Sequence, residues 1–525
     1  MQSPARLLAA VPLAVVLTAM WVFVLYWGEH GVFAAAVRAC RWETWEDWPA
    51  GATPVRIAVI ADPQLVDENT YKGRPAPLLA LTEYYVDKYM HRAWTALHAG
   101  LGSKDATVFL GDLFDGGREW DHDTWLAEYE RFERVFPFAT GDDVTRTGEY
   151  GELLLREVAG NHDIGIGDTV VVKALNTFRA YFGDPNRAVE IGNHTLVALD
   201  TASLMNTKLE AVYTPPRDFL QSLRESTVTA AETPVLPRIL LTHIPLFRPA
   251  NEACGPKREA GGSLPLSRGY QYQTAVDPDL TTEVLQAVAP VLVLSGDDHD
   301  ACSYTHTFSP ATSDSARTNT PIFSAPEYTV KSFSIAMGVQ YPAFELLSLW
   351  NPAGENYVRD SSGAAATVQT KLCMLPSLFD IFRTYAKVLV FTAVVVYIAS
   401  RRAVVLGGTR VRRPSVLYDD DDTDYDMGDA SGSGSSIKAS WTAATKSASR
   451  TTTPSPSTSA SSSSTSGNSK RRSRQPWRRR LRLSQRVSAR LCGAPGTVRR
   501  EFSGRMLRLG GVVVTVYLYF LLLRR

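Results

Sequence analysis

Val108-Phe109-Leu110-Gly111-Asp112-Leu113-Phe114-Asp115-Gly116-Gly117 reads as a buried strand that stops at a glycine and turns sharply into a carboxylate. In α/β folds that turn lies at the carboxyl end of a sheet, where ligands bind. One such stretch is often only a turn, but three more follow the same plan. They are Ala58-Val59-Ile60-Ala61-Asp62-Pro63-Gln64, the run from Leu155 to Gly160-Asn161-His162-Asp163, and the run from Val291 to Ser295-Gly296-Asp297-Asp298-His299-Asp300. A fifth, Arg238-Ile239-Leu240-Leu241-Thr242-His243, ends a strand on a histidine. Five strands that deliver Asp, Asp, Asn-His, His and Asp-x-His to one rim predict a dinuclear metal site.

The 525 residues exceed one ordinary domain, and the net charge of +1 points to no partner class. None of the five cysteines is in CxxC spacing, which excludes a zinc finger or thioredoxin motif. Cys254 and Cys302 can pair in an oxidising compartment or lie buried as free thiols.

Leu7 to Trp27 is apolar and free of charge, long enough for a membrane helix and long for a cleaved signal. From Val55 to Leu349 strands alternate with helical stretches, Leu78–Leu101 and Trp120–Phe136 among them, as in a globular α/β domain. Asn193-His194-Thr195 is a glycosylation sequon and modest support for a luminal domain. A second apolar segment, 376–400, precedes Arg401-Arg402, which suggests a cytoplasmic exit. Residues 401–507 combine an acidic run, a Ser/Thr-rich tract and a basic block from Lys470 to Arg480, a composition expected to be disordered. Beside membrane helices the basic block suits anionic lipid rather than nucleic acid. A last apolar run, 509–523, is the candidate for a third membrane segment.

The order Asp62, Gly111-Asp112, Gly160-Asn161-His162-Asp163, His243, Gly296-x-x-His299 resembles the calcineurin-like metallophosphoesterase superfamily. The resemblance implies a four-layer α/β/β/α sandwich, here flanked by transmembrane helices. It implies Asp112 as the bridge between two divalent cations, Asp62 and His299 on the first, Asn161 and His243 on the second, and His162 beside the scissile phosphate as stabiliser or general acid. The first motif departs from the superfamily's Asp-x-His, since Gln64 stands third; its carbonyl oxygen joins the first metal or lies behind the ligands. The last departs from Gly-His-x-His, since Asp297 stands where an imidazole is usual. Both changes harden the donor set toward Mn²⁺ or Mg²⁺ over Zn²⁺, or mark a retired site.

Ala61 to Leu65, Ser295 to Asp300, Cys302 and Pro326 to Ser334 narrow the resemblance to the fungal branch of the GPI-glycan remodelling metallophosphoesterases. That likeness implies a Mn²⁺-dependent hydrolase in the ER or Golgi membrane with a luminal catalytic domain. Its partner would be a membrane-borne GPI glycolipid or GPI-anchored protein, from whose mannose it removes ethanolamine phosphate, with no nucleic acid involved. The alternatives are a membrane-anchored phosphatase for another substrate and a non-catalytic metal-binding trafficking protein. Asp115 and Asp163 are expected to orient ligands and loop backbone, Asp298 and Asp300 to brace the His299 loop, and Arg118, Tyr328 and Lys331 are candidates for phosphate or glycan contacts, with solvent-facing roles as the alternative.

Overall fold

The computed structural model describes residues 12–137, 152–229, 236–311, 322–358, 367–409 and 495–522. The chain divides into two compact units, Met1–Thr392 with Leu509–Arg525, and Ala393–Arg508. The second unit, among its described residues, is the far part of one long helix and the start of another.

At the amino end α1 (Leu13–Tyr26) passes through a π-helical turn, Trp27–Gly31, into α2 (Val32–Ala39). The sandwich begins with β1 (Val55–Ile60), α3 (Ala76–Gly100), β2 (Ala106–Phe109), α4 (His122–Val135) and β3 (Leu153–Leu155). It continues with α5 (Val172–Phe182), β4 (Arg187–Ile191), β5 (His194–Ala198), α6 (Glu210–Thr229) and β6 (Arg238–Leu241). A small hairpin, β7 (Arg268–Gly269) and β8 (Tyr272–Gln273), precedes α7 (Pro278–Val288) and β9 (Leu292–Ser295). The sheets close with β10 (Cys302–Phe308), β11 (Phe323–Thr329), β12 (Ala343–Leu349) and β13 (Val368–Met374). Two long helices follow, α8 (Leu378–Thr409) and α9 (Pro495–Leu522).

The strands form a five-stranded sheet, β13-β12-β1-β2-β3, and a six-stranded sheet, β10-β11-β9-β6-β5-β4. The central strands β1, β2 and β3 run parallel, as do β5, β6, β9 and β11. Alternation along each strand makes four layers from two sheets. Ile57, Val59, Val108 and Leu110 face Leu196, Ile239, Leu241, Leu292 and Leu294 across the space between the sheets. The intervening Ala58, Ile60 and Phe109 face Val86, Met90, Trp94 and Leu97 of α3 and Phe132 of α4. Those α3 positions recur at helical spacing, so the apolar stripe alone docks the helix. Asp121 caps α4 by accepting from the Thr124 N–H at 2.8 Å.

The four-layer sandwich therefore stands as the motif order implied, but its edges differ from the sequence reading. The domain does not close at 349, because β13 pairs with β12 along its whole length. Residue for residue β13 looks like a polar lead-in to a membrane helix; only its partner makes it a strand. The helix that enters at the N-terminus does not stop at Trp27 but continues to Ala39, and residues 7–11 lie outside the described residues. Most of the 401–507 segment, 410–494, lies outside them too. Its two ends are helical and not the disordered chain expected: 401–409 completes α8 and 495–507 opens α9, each an overrun of an apolar helix into polar sequence. Two stretches, Leu13–Ala39 and Leu378–Val405, are long and apolar enough to cross a membrane; α9, which contains the run from 509, is not one of them.

Cys254 and Cys302 are bonded, and so are Cys40 and Cys373, 333 residues apart. The second bond ties the end of α2 to the end of β13, a pairing that no spacing announces. Asn193 of the sequon is exposed in the β4–β5 turn, its amide donating to the Asn351 carbonyl at 3.1 Å.

Glu345 on β12 is buried, and burial pushes its carboxyl up to about 8 against the weaker pull of Lys257, Thr370 and Lys371. A folded-state value above the unfolded 4.5 means stability is fully present below pH 4.5 and is lost as pH rises toward 8. Glu345→Gln is therefore expected to raise the unfolding midpoint at pH 8, by up to a few kcal/mol of stability, and to leave it unchanged at pH 4.5. Tryptophan-fluorescence melts of the solubilised full chain at both pH values check this; an equal shift at both would show that packing, not charge, is responsible.

Candidate metal centre

Each predicted ligand stands within a few residues of a strand's carboxyl end. Asp62 and Gln64 follow β1, Asp112 follows β2, Asn161 and His162 open a single helical turn after β3, His243 follows β6, and Asp297 and His299 follow β9. The turns needed to aim these side chains at one point are tight. Asp62, Gln64, Asp112, Asp297 and His299 all have positive φ, between 41° and 66°. Such a conformation is uncommon for residues with a Cβ and is kept only where the surroundings enforce it. Gly111 at φ 88° and Gly160 allow the closest approaches: a Cβ on Gly160 would lie 2.0 Å from Asp112 Oδ1.

The convergence produces two groups that share one carboxylate. Asp62, Asp112 and His299 place ligand atoms within 4.8 Å of one another, and so do Asp112, His243 and Asp297. Asn161 joins the second group, its Oδ1 3.1 Å from His243 Nε2. Gln64 is buried with its amide nitrogen 3.4 Å from Asp112 Oδ2. His243 Nδ1 lies 2.8 Å from the Leu110 carbonyl, which can only accept, so this nitrogen carries the hydrogen. Its Nε2 faces Asn161 Oδ1, Asp112 Oδ1 at 3.3 Å and Asp297 Oδ1 at 3.7 Å. Burial opposes a charge on the ring, but the Asp112, Asp62 and Asp297 carboxylates raise it well above its ordinary value, so Nε2 holds a proton until a metal takes that proton's place. Those oxygens and that nitrogen, meeting in one buried place, call for a cation. Asp62 Oδ2, Gln64 Oε1 and Asp297 Oδ2 are likewise buried without a hydrogen-bond partner. The donor set thus fits a pair of divalent cations.

The electrostatics say the same. Burial raises Asp62 far above the usual carboxylate range and Asp297 to about 7, in each case with the Asp112 charge adding to the effect. Asp112 itself is held below its ordinary value, because His243, His162 and the His162 N–H at 2.8 Å together overcome burial. Burial also holds the His299 ring down at about 4, hence neutral with a lone pair to give. For His162 burial opposes the charged form, but the Asp112 charge and the hydrogen bond to Asp115 win and raise it to about 9. His162 Nδ1 lies 2.7 Å from the Asp115 carbonyl and 3.0 Å from its Oδ1.

The supporting residues brace backbone rather than substrate. Asp163 accepts from the N–H groups of Gly160 and Phe114 at 2.9 and 3.1 Å, stitching two ligand turns together. Asp298 pairs with Arg258, and Asp300 accepts from the Ala260 N–H at 2.9 Å, so the loop after α6 and β6 clasps the His299 turn. Lys331 is fully buried between Glu259 and Asp300, so its ammonium is taken up by that pair rather than presented for the phosphate contact expected of it. Arg118 does lie at the site, donating to the Asn161 carbonyl at 2.9 Å and to Gln271 Oε1 at 3.1 Å. Gln271, at the tip of the β7–β8 hairpin, carried no signal in the sequence; it reaches the site only because the loop folds back 110 residues after Asn161.

Residues 55–301 match the family model described as calcineurin-like phosphoesterase. The chain is 40% identical over 376 residues to the Saccharomyces cerevisiae protein called cell division control protein 1, covering 71% of this chain and 72% of that one. It is 23% identical over 309 residues to Metallophosphoesterase 1 of Xenopus laevis, covering 54% of this chain and 71% of the relative. A solved purple acid phosphatase from yellow lupin superposes at a TM-score of 0.30 and 12% identity, over 64% of this chain and 56% of that one. With a 40% relative matched over most of its length and a family model that takes in Asp62, Asp112, Asn161, His243 and His299, the chain belongs to the calcineurin-like phosphoesterases, a family of metal-dependent hydrolases.

Proposed function

We propose that this membrane-associated phosphoesterase cleaves ethanolamine phosphate from mannose of GPI anchors, in the lumen of the ER or Golgi, with two divalent ions, Mn²⁺ foremost. The observation that carries the reading is the sharing of Asp112 between two ligand groups. We assign Asp62, His299 and Asp112 to one ion, with Gln64 beside it, and Asp112, Asn161, His243 and Asp297 to the other. Bound there, a divalent pair supplies Lewis-acid charge to the phosphate oxygens and acidifies water. The carboxylate-rich donor set favours hard Mn²⁺ or Mg²⁺.

The protein's own groups do the rest. Asp115 fixes the His162 ring at Nδ1, which leaves Nε2 to donate. The Asp115 carboxylate beside the ring favours its protonated form, so as a water oxygen bonds to phosphorus and the P–O bond to the sugar breaks, Nε2 gives its proton to the departing oxygen. Arg118 sits beside Asn161, and we assign it to a non-bridging phosphate oxygen. The two disulfides suit an oxidising lumen, and the two membrane-length helices suit a substrate held in the same bilayer.

The test is release of ethanolamine phosphate from a GPI glycan by the metal-stripped full chain given Mn²⁺, Mg²⁺ or Zn²⁺ in turn, beside a soluble aryl phosphodiester. Mn²⁺-dependent release from the glycan supports the proposal; cleavage of the aryl compound alone would keep the hydrolase and overturn the substrate. In the same assay Gln64→His is expected to keep activity within tenfold and to shift metal preference toward Zn²⁺, since an imidazole is the softer donor. An unchanged metal ranking would place Gln64 outside the ligands.

A further inference from the structure

Both candidate membrane spans join the sandwich at the rim that carries the ligands. Ser332 bridges to Ala61, one residue before Asp62, and its carbonyl accepts from the N–H of Ala343, where β12 begins. Met374 at the end of β13 pairs with that same Ala343, and α8 starts at Leu378. On the other span, the disulfide from Cys40 to Cys373 fixes the end of α2 to the same edge.

From this rim the helices run away from the sheets. A Cβ on Gly28 would collide with the Tyr385 hydroxyl, and Trp21 Nε1 donates to Thr392 Oγ1 at 3.0 Å, so α1 and α8 are antiparallel neighbours. The first turns of α3 accompany them. Tyr89 OH donates to the Pro376 carbonyl at 2.7 Å, while the Tyr85 ring lies edge-on to Phe382 at 6.5 Å, its hydroxyl 2.8 Å from that of Tyr517. As numbers fall along α3 they rise along α8, so α3 projects past the rim. Leu78 and Leu81 share a helix face with Tyr85 and are half exposed, at 51% and 50%. From Tyr89 back to Leu78 is a rise of about 16 Å, and from Leu378 to Lys387, after which α8 carries no charge to Ala399, about 14 Å at 1.5 Å per residue. Two half-exposed apolar side chains thus stand level with the point where α8 meets hydrocarbon.

We propose that the domain stands on the membrane with its metal rim facing the bilayer, seated on Leu78 and Leu81 beside α8. Its height of about 15 Å then selects phosphodiesters borne on an extended headgroup of a membrane lipid over a lipid's own phosphate. A bilayer's polar layer is only about 6 Å deep on each side, so an ordinary phospholipid phosphate lies well short of the ligands, whereas a phosphate carried on a headgroup glycan can reach them. This rests on the reading of the chain as a membrane-associated phosphoesterase, and gives it a physical ruler.

The test uses the full chain in phosphatidylcholine nanodiscs containing one-fifth phosphatidylserine. A nitroxide at Leu81→Cys, in a Cys492→Ser background, is expected to show oxygen accessibility above that to a water-soluble nickel chelate. A probe that reads as fully aqueous overturns the proposal. In the activity arm, an aryl phosphodiester is tethered to lipid through polar spacers of graded length. Turnover is expected to rise at least tenfold from no spacer to a spacer of about 15 Å, and L78E/L81E is expected to lower tethered turnover about tenfold while soluble aryl phosphodiester is cleaved as before. Turnover indifferent to spacer, or an equal loss on both substrates, overturns it. The tethered substrate contains no mannose, so failure on a GPI glycan would leave this result standing, and the nitroxide arm decides the membrane contact even if no substrate turns over.

Discussion

Asp112→Asn is expected to lower turnover by on the order of 10³-fold or more while leaving the fold intact. The substitution keeps the shape and the acceptor oxygen that takes the His162 N–H at 2.8 Å, so little packing changes. What is lost is the one negative charge common to both ligand groups. Two cations close together repel strongly, and an anionic oxygen between them offsets that repulsion; an amide oxygen does so only weakly. The metals contribute several kcal/mol to the transition state, and each 1.36 kcal/mol is a factor of ten. A second loss compounds the first, because the Asp112 charge is the leading influence that lifts the His162 ring to about 9 against burial. Without it the ring drifts down and less of the acid form is present near neutral pH. Turnover of the aryl phosphodiester and metal content per chain are the measurements. Activity within tenfold of wild type, with two ions still bound, would remove Asp112 from the bridge.

Gly160→Ala is expected to be nearly as severe, for steric reasons alone. Gly160 has an ordinary extended backbone at φ −98°, so alanine costs nothing in conformation. Its Cβ, however, would sit 2.0 Å from Asp112 Oδ1 and 2.3 Å from the Asp112 backbone nitrogen. The carboxylate could swing aside only by leaving the metal position, and the backbone nitrogen cannot swing at all. A loss beyond 100-fold in turnover together with loss of at least one bound ion is therefore expected, with folded protein still recovered. Gly102→Ala is the matched control: φ is 82° and no atom lies within 4 Å of the new Cβ. That variant is expected to cost about 1–2 kcal/mol of stability and to leave turnover unchanged. Equal activity loss in the two alanine variants would mean that general destabilisation, not the clash at Asp112, is being read.

The contrast between these two glycines shows how far the sequence reaches. Gly111-Asp112 and Gly160-Asn161-His162-Asp163 are legible because a ligand placed directly after a strand requires a small residue, a tight turn and a donor in consecutive positions. The consequences of that requirement are local, so five strand ends and their donors could be read in order, and with them the metal chemistry; the layered fold followed only from the family resemblance that those motifs carry. Gln64 and Asp297 were equally visible, as departures from the expected donors. The bracing roles of Asp163 and Asp298 were expected, but which N–H or guanidinium each one holds depends on neighbours brought in by other loops.

What only the tertiary structure decided lies between residues far apart in the chain. β13 is a strand because β12 offers it hydrogen-bonding partners, not because its own residues insist on it. Gln271 reaches Arg118 across 153 residues, and Cys40 meets Cys373 across 333. The same holds for the edge of the sandwich from which the two membrane-length helices leave. Each apolar span could be read from its own composition, since burial in a bilayer is a property of a continuous stretch. That both spans leave from the edge where Asp62 and Asp112 stand follows from strand order and from antiparallel pairing of β12 with β1 and β13. Those are contacts made by folding, and no local pattern of residues encodes them.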